Sequence, residues 1–287
     1  MNALNGLFTK LFDLLLAPLE LMGNEMSLLI VSGIFGVVAL VVFKHISSQK
    51  GIKNAKNKIK AHMIAIRLYQ DDLVIVGQSI CKVLLRNLQY VSLNFGPFLP
   101  LAPLFVVVVA QTVVRYGFDP LPVVSVEEAQ GTMSGRGTML SVAFAADQRG
   151  EATKLSIEWP AGLTPTTPLV RNGSDGVAFQ EFVATAPGEY DVLLRVGDGE
   201  PYTKHVVAGQ PVRWLQPERV GDAMSAFLWP VEEMSPSAGA IEHVKFAYPE
   251  SDLGWLPMSG PLGVMTWFVV ASMIFAFAFI KPLGVQI

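Results

Sequence analysis

The chain has 287 residues, 51% of them hydrophobic and 16% charged, with a mean hydropathy of +0.43. It is too apolar and too sparsely charged for an ordinary water-soluble domain, so part of it belongs in lipid. The net charge of −3 hides a segregation: residues 44–96 carry nine Lys or Arg against two Asp, whereas residues 118–260 carry nine against nineteen acids. Segment charge, not the total, therefore guides the reading. The single cysteine, Cys81, excludes an intramolecular disulfide, and four scattered His beside it offer no zinc cluster.

Residues 2–22 place Leu4, Phe8, Leu11, Leu15, Leu19 and Met22 at helical spacing, with Asn2, Asn5, Thr9 and Asp13 opposite. The spacing predicts an amphipathic helix over 1–25, lying in the outer interface of a membrane and kinked or divided at Pro18. Lys10 stands there with Asp13, Glu20 and Glu25, the wrong charge for the n-region of a signal peptide.

Residues 26–43 hold no charge and would make about 27 Å of helix, enough to cross a hydrocarbon core of about 30 Å, so span one is set at 26–44. Ser32, Gly33 and Gly36 on it would let another helix approach closely. Lys44, Lys50, Lys53, Lys56, Lys58 and Lys60 follow. By the positive-inside rule the N-terminus is then outside and residues 45–95 form a basic cytoplasmic arm. Ile52, Ile59, Met63, Ile66 and Leu73 give that arm a helical apolar stripe, and Asp71 and Asp72 mark a helix boundary or pair with nearby bases. Residues 73–95 stay helical in pattern, but Lys82 and Arg86 would be costly at a bilayer centre, which predicts an interfacial helix rather than a span.

Span two occupies 96–117, with Pro97, Pro100 and Pro103 near its start and Arg115 and Tyr116 closing it at the outer interface. Residues 118–212 read as an extracytoplasmic β-sandwich of immunoglobulin-like or fibronectin-like type. Alternating runs at 139–145, 154–159, 177–184, 190–196 and 202–207 are parted by Gly, Pro and Asp turns, and the Val196-Gly197-Asp198-Gly199-Glu200 turn predicts a tight hairpin. Residues 213–260 read as an appendix with a short helix at 222–228 and a strand at 241–247. Span three, 261–281, is anchored by Trp255 and Trp267 and closed by Lys281, before a cytoplasmic tail at 282–287.

No phosphate loop, nucleophile elbow or His pair at ligand spacing is present, so no enzyme, cofactor, metal or small-molecule substrate is indicated. Gly131, Gly135 and Gly137 read as a turn rather than an anion cradle. The basic residues Lys53, Lys56, Lys58, Lys60 and Arg67 suit anionic headgroups or an acidic docking partner, and the near absence of aromatics among them argues against reading nucleic acid by stacking. Within the spans the polar residues that stand out are Gln111, Thr112 and Arg115, beside Ser32 and Ser272. An amide in lipid must be paired, so Gln111 is expected to hydrogen-bond another helix.

The order of elements, an outer interfacial helix, an inward span, a basic helical arm, a proline-started outward span and a later inward span, resembles the core of the Oxa/YidC superfamily of membrane protein insertases. Within it the likeness is to the three-span branch that includes the insertase subunit of the endoplasmic-reticulum membrane protein complex. Residues 53–72 and the run Pro97-Phe98-Leu99-Pro100-Leu101-Ala102-Pro103-Leu104 carry the resemblance, which covers residues 1–116 and 261–281 and leaves out the β-domain. The stretch 59–72 and the closing Pro282-Leu283-Gly284-Val285 also resemble bacterial membrane proteins of the same layout. That family presents a basic residue in a groove within the bilayer, and span one has none between Met26 and Phe43. The resemblance implies an insertase-like or assembly factor of a bacterial inner membrane, whose partners are lipids and membrane-protein clients or subunits. The competing expectation is a structural anchor that displays the β-sandwich to an extracytoplasmic partner.

Overall fold

The computed structural model of the chain describes residues 2–125, 127–128, 137–221, 225–229 and 240–285. Gly131, Gly135 and residues 222–224 at the expected start of the short helix lie outside them, as do the last two residues. The helices are α1 (Asn2–Glu20), α2 (Asn24–Ile46), α3 (Gln49–Leu68), α4 (Leu73–Phe95), α5 (Phe98–Tyr116) and α6 (Gly260–Leu283), with one helical turn at Ser225–Leu228. Three of them, α2, α5 and α6, are 23, 19 and 24 residues long and apolar enough to cross a membrane. The chain divides into two compact units, Met1–Leu28 with Val107–Thr266 and Leu29–Val106 with Trp267–Ile287.

In the first unit α1 runs unbroken through Pro18. The expected division at Pro18 does not occur, because the proline falls in the last turn, where little helix remains to be disrupted. Gly23 then turns the chain with φ +93°, a conformation that costs glycine least.

Among the described residues nine strands follow: β1 (Thr138–Phe144), β2 (Leu155–Glu158), β3 (Leu163–Pro165), β4 (Val170–Asn172), β5 (Val177–Ala184), β6 (Gly188–Val196), β7 (Tyr202–Ala208), β8 (Glu218–Val220) and β9 (Ile241–Phe246), with a 3-10 turn at Arg149–Lys154 before β2. They make two antiparallel sheets, one in the order β3-β5-β1-β9-β8 with β4 also on β5, the other in the order β2-β6-β7. Alternation along β1 and β6 sends Leu140, Val142, Val192 and Leu194 into one shared core with Phe182, Val206, Val244 and Phe246. Phe182 meets Phe246 edge-on at 5.3 Å between ring centroids and Trp159 at 4.7 Å. The β6–β7 hairpin turns at Gly197, whose φ of +56° and the Gly199 N–H to Val196 carbonyl bond of 3.1 Å close it.

The expected division at residue 212 is corrected by this topology. Residues 213–260 are no appendix: β9 lies between β1 and β8, pairing Leu140 with Phe246 and Val142 with Val244, and supplies the core. Lys204, on β7, is wholly buried, donating to the Gln216 carbonyl at 2.8 Å with its Nζ 5.9 Å from the Phe246 ring.

In the second unit, α3 and α4 form an antiparallel hairpin. Their least exposed residues, Ile52, Ala55, Ile59, His62 and Ile66 on α3 and Val76, Ser79, Val83, Arg86, Tyr90 and Leu93 on α4, recur at alternating intervals of three and four, the heptad spacing of a coiled-coil seam. Asp72 caps α4, its Oδ1 accepting from Val74 N at 3.0 Å and Ile75 N at 3.1 Å. The hairpin root packs Ile52, Tyr90 and Leu93 against Leu40, Phe43, Leu101 and Val285. Phe35, Phe105 and Phe268, from the three long helices, meet with centroids 5.2 to 6.0 Å apart. Gly36 lies so close to α6 that a Cβ there would overlap the Ser272 carbonyl, and one on Gly33 would stand 2.9 Å from the Phe275 ring. The last turn of α6 ends on Gly284 at φ +62°, and Lys44 Nζ donates to the orphan Leu283 carbonyl at 2.7 Å.

Candidate functional site: a buried polar cluster on α1 and α5

Helix α1 is inverted relative to a helix of a soluble protein. Asn5, Thr9 and Leu16 are buried, while Leu7, Leu11, Leu14 and Leu15 are exposed. A helix that hides its hydroxyl and amide and presents leucine outward is matched to an apolar surrounding. Thr9 among them meets the last two turns of α5.

There Gln111 and Arg115, four residues apart on one face of α5, are both buried. Gln111 Nε2 donates to Thr9 Oγ1 at 3.2 Å, and Arg115 Nη1 donates to Gln111 Oε1 at 2.5 Å. Arg115 Nη2 donates to the Thr9 carbonyl at 3.3 Å and forms an ion pair with Asp13 Oδ1. The Arg115 side chain has no exposed surface, whereas that of Asp13 is 27% exposed. The Phe12 ring lies 6.0 Å from the guanidinium carbon. A charge removed from water costs several kcal/mol unless it is paired and hydrogen-bonded, and here one carboxylate, one side-chain amide and two main-chain carbonyls, those of Thr9 and Gln111, share the task. Both Nη groups are thus engaged, and the buried Nε–H alone has no hydrogen-bond partner among the described residues.

Gln111 does bond to another helix, as expected of an amide in a span. Thr112 is equally buried but turns back on its own helix, donating to the Val109 carbonyl at 2.8 Å, and does not join the cluster. Thr9 and Asp13, which the spacing sets on the side of α1 opposite its apolar stripe, are the partners of Gln111 and Arg115. The signal was present: Asn5, Thr9 and Asp13 repeat at intervals of four in an otherwise apolar helix, the same interval that separates Gln111 from Arg115.

The basic residues of the hairpin form no cluster of this kind. Lys53, Lys56, Lys58, Lys60 and Arg67 are all exposed along α3. Among the described residues no group of three or more His, Cys, Asp or Glu is placed to hold a metal ion. Comparisons with family models, with curated proteins and with solved structures find no match to the chain.

Proposed function

We propose that the chain is an insertase-like membrane protein that assists other chains to enter or fold in a bilayer without covalent catalysis. The observation that carries this is the Arg115–Gln111–Thr9–Asp13 cluster. An ionised residue kept in a membrane-spanning helix is expensive, and where such residues are retained they mark a path for polar groups. The buried Nε–H of Arg115, without a partner among the described residues, is a donor that a carboxylate or carbonyl oxygen could take only once the cluster opens. The order of α1, α2, the α3–α4 hairpin, α5 and α6 supports the same reading through its likeness to the three-span Oxa/YidC type. The charge segregation supports an inner-membrane orientation with α1 and the sheets outside and the hairpin inside. In this reading the two sheets form an immunoglobulin-like sandwich facing extracytoplasmic partners, and the clients are membrane-protein segments.

A structural anchor is the second reading, and a specific observation favours it. Gly33 and Gly36 seat α2 tightly on α6, and the Phe35, Phe105 and Phe268 rings of the three helices meet at their level. An anchor closes its spans in this way.

Depletion with complementation separates the two. The Asp13→Leu/Arg115→Met double variant removes the ion pair of the cluster while roughly keeping side-chain volume and leaves the Gln111–Thr9 hydrogen bond in place. It is expected to accumulate normally and to fail to restore insertion of membrane proteins in pulse-labelled cells. A membrane proteome that is unchanged on depletion, or fully restored by the double variant, refutes the insertase reading and leaves the anchor.

A further inference from the structure

Helix α4 has two apolar faces, and the hairpin seam uses only one. Opposite the seam, Leu73, Ile80, Leu84, Leu88, Val91 and Phe95 run the length of the helix, all exposed. Val74 and Leu85 widen the stripe, and Met63, Ile64 and Leu68 continue it around the hairpin tip. An arm projecting into water would expose all of these at once, from root to tip. The stripe is also continuous with the outer surface of α5: Phe95 and Phe98 stack with centroids 5.9 Å apart, and the next residue, Leu99, is 82% exposed. The α3 face turned away from the seam is mixed, with Ile64 and Leu68 on it beside the charges. It carries Lys53, Lys56, Lys60 and Arg67, all exposed.

We propose that the α3–α4 hairpin lies along the membrane surface rather than projecting from it, with the outward face of α4 seated in the bilayer at the boundary between headgroups and acyl chains. The inference rests on the reading of α2, α5 and α6 as membrane spans and goes beyond it by naming the occupant of the α4 face as lipid. Continuity with the exposed face of α5 selects lipid over a protein partner, because the stripe runs without a break into a surface that acyl chains cover. Lys82, Gln78 and Gln89 border the stripe on one flank and Asn87 and Asn94 on the other, where headgroups would meet them.

The single native cysteine makes this testable in the intact chain, since Cys81 is exposed on the same outward face of α4. The full-length protein is labelled at Cys81 with an environment-sensitive nitrobenzoxadiazole dye and placed one copy per nanodisc of phosphatidylcholine and phosphatidylglycerol. Two further probes, Lys60→Cys and Ile274→Cys, are made in a Cys81→Ser background. The Cys81 dye is expected to emit to the blue and to be quenched by acyl-chain spin labels as strongly as Ile274→Cys on α6, while Lys60→Cys emits as in water and is quenched by iodide. A water-like Cys81 beside a lipid-quenched Ile274→Cys overturns the inference and leaves the spans standing. Water-like emission from both overturns the membrane reading itself. A Cys81 dye shielded from iodide and from spin labels alike means that protein covers α4, which also overturns the proposal.

Discussion

At the scale of the residue, the Arg115–Asp13 pair tests whether the cluster is held together by charge. Arg115→Met alone strands the Asp13 carboxylate in a partly buried place and is expected to lower stability in detergent by about 3–5 kcal/mol. Adding Asp13→Leu should recover most of that loss, because two apolar groups need no partner. Thermal unfolding of the four members of the cycle measures the coupling, and additive losses would show that the pair is not a unit. Two helical glycines give a second contrast of sign. Gly36→Ala forces a methyl into the Ser272 carbonyl and should cost about 1–3 kcal/mol, whereas Gly77→Ala, with nothing within 4 Å, should stabilise α4 by about 0.5–1 kcal/mol. Sequence alone placed Gln111 and Arg115 at a site, because polar groups in an apolar run must be paired. It misplaced Thr9 and Asp13, because amphipathicity reports that two faces differ and not which one meets protein.

At the scale of the element, the caps and seams decide. Asp72→Ala removes the acceptor of two N–H groups at the start of α4 and should lower its stability by about 0.5–2 kcal/mol. Hydrogen exchange should show faster opening at Val74 and Ile75 with the middle of α4 unchanged, and uniform protection along α4 would contradict the capping role. The long helices and the strands with clear alternation, β1, β5, β6 and β7, were legible, since periodicity accumulates over seven or more residues. The three-residue strands β3, β4 and β8 carry no period to read and exist through their neighbours. The part played by β9 was missed for a related reason. Residues 241–246 announced a strand, but pairing across the roughly hundred residues that separate β9 from β1 is a tertiary fact that no local pattern holds.

At the scale of the whole molecule, the two-sheet region carries its own core, with Phe182, Phe246, Leu140 and Val206 wholly enclosed. A fragment of residues 118–260 should therefore unfold in one cooperative transition with strand-rich circular dichroism, and Phe182→Ala should destabilise it by about 3–5 kcal/mol. Aggregation of the fragment unless the helices are attached would contradict an independent core. The central proposal is that three helices cross a bilayer, with the basic hairpin on one side and the acidic sheet region on the other. Nine bases against two acids over residues 44–96, and nine against nineteen over 118–260, are the ground for that direction. The most direct test is a membrane-impermeant maleimide applied to intact cells, with Ser174→Cys and Asn57→Cys each in a Cys81→Ser background; both positions are exposed. The expected result is labelling at position 174 and none at position 57 until the cells are opened. Labelling at 57 with protection at 174 would contradict the orientation and every functional statement built on it.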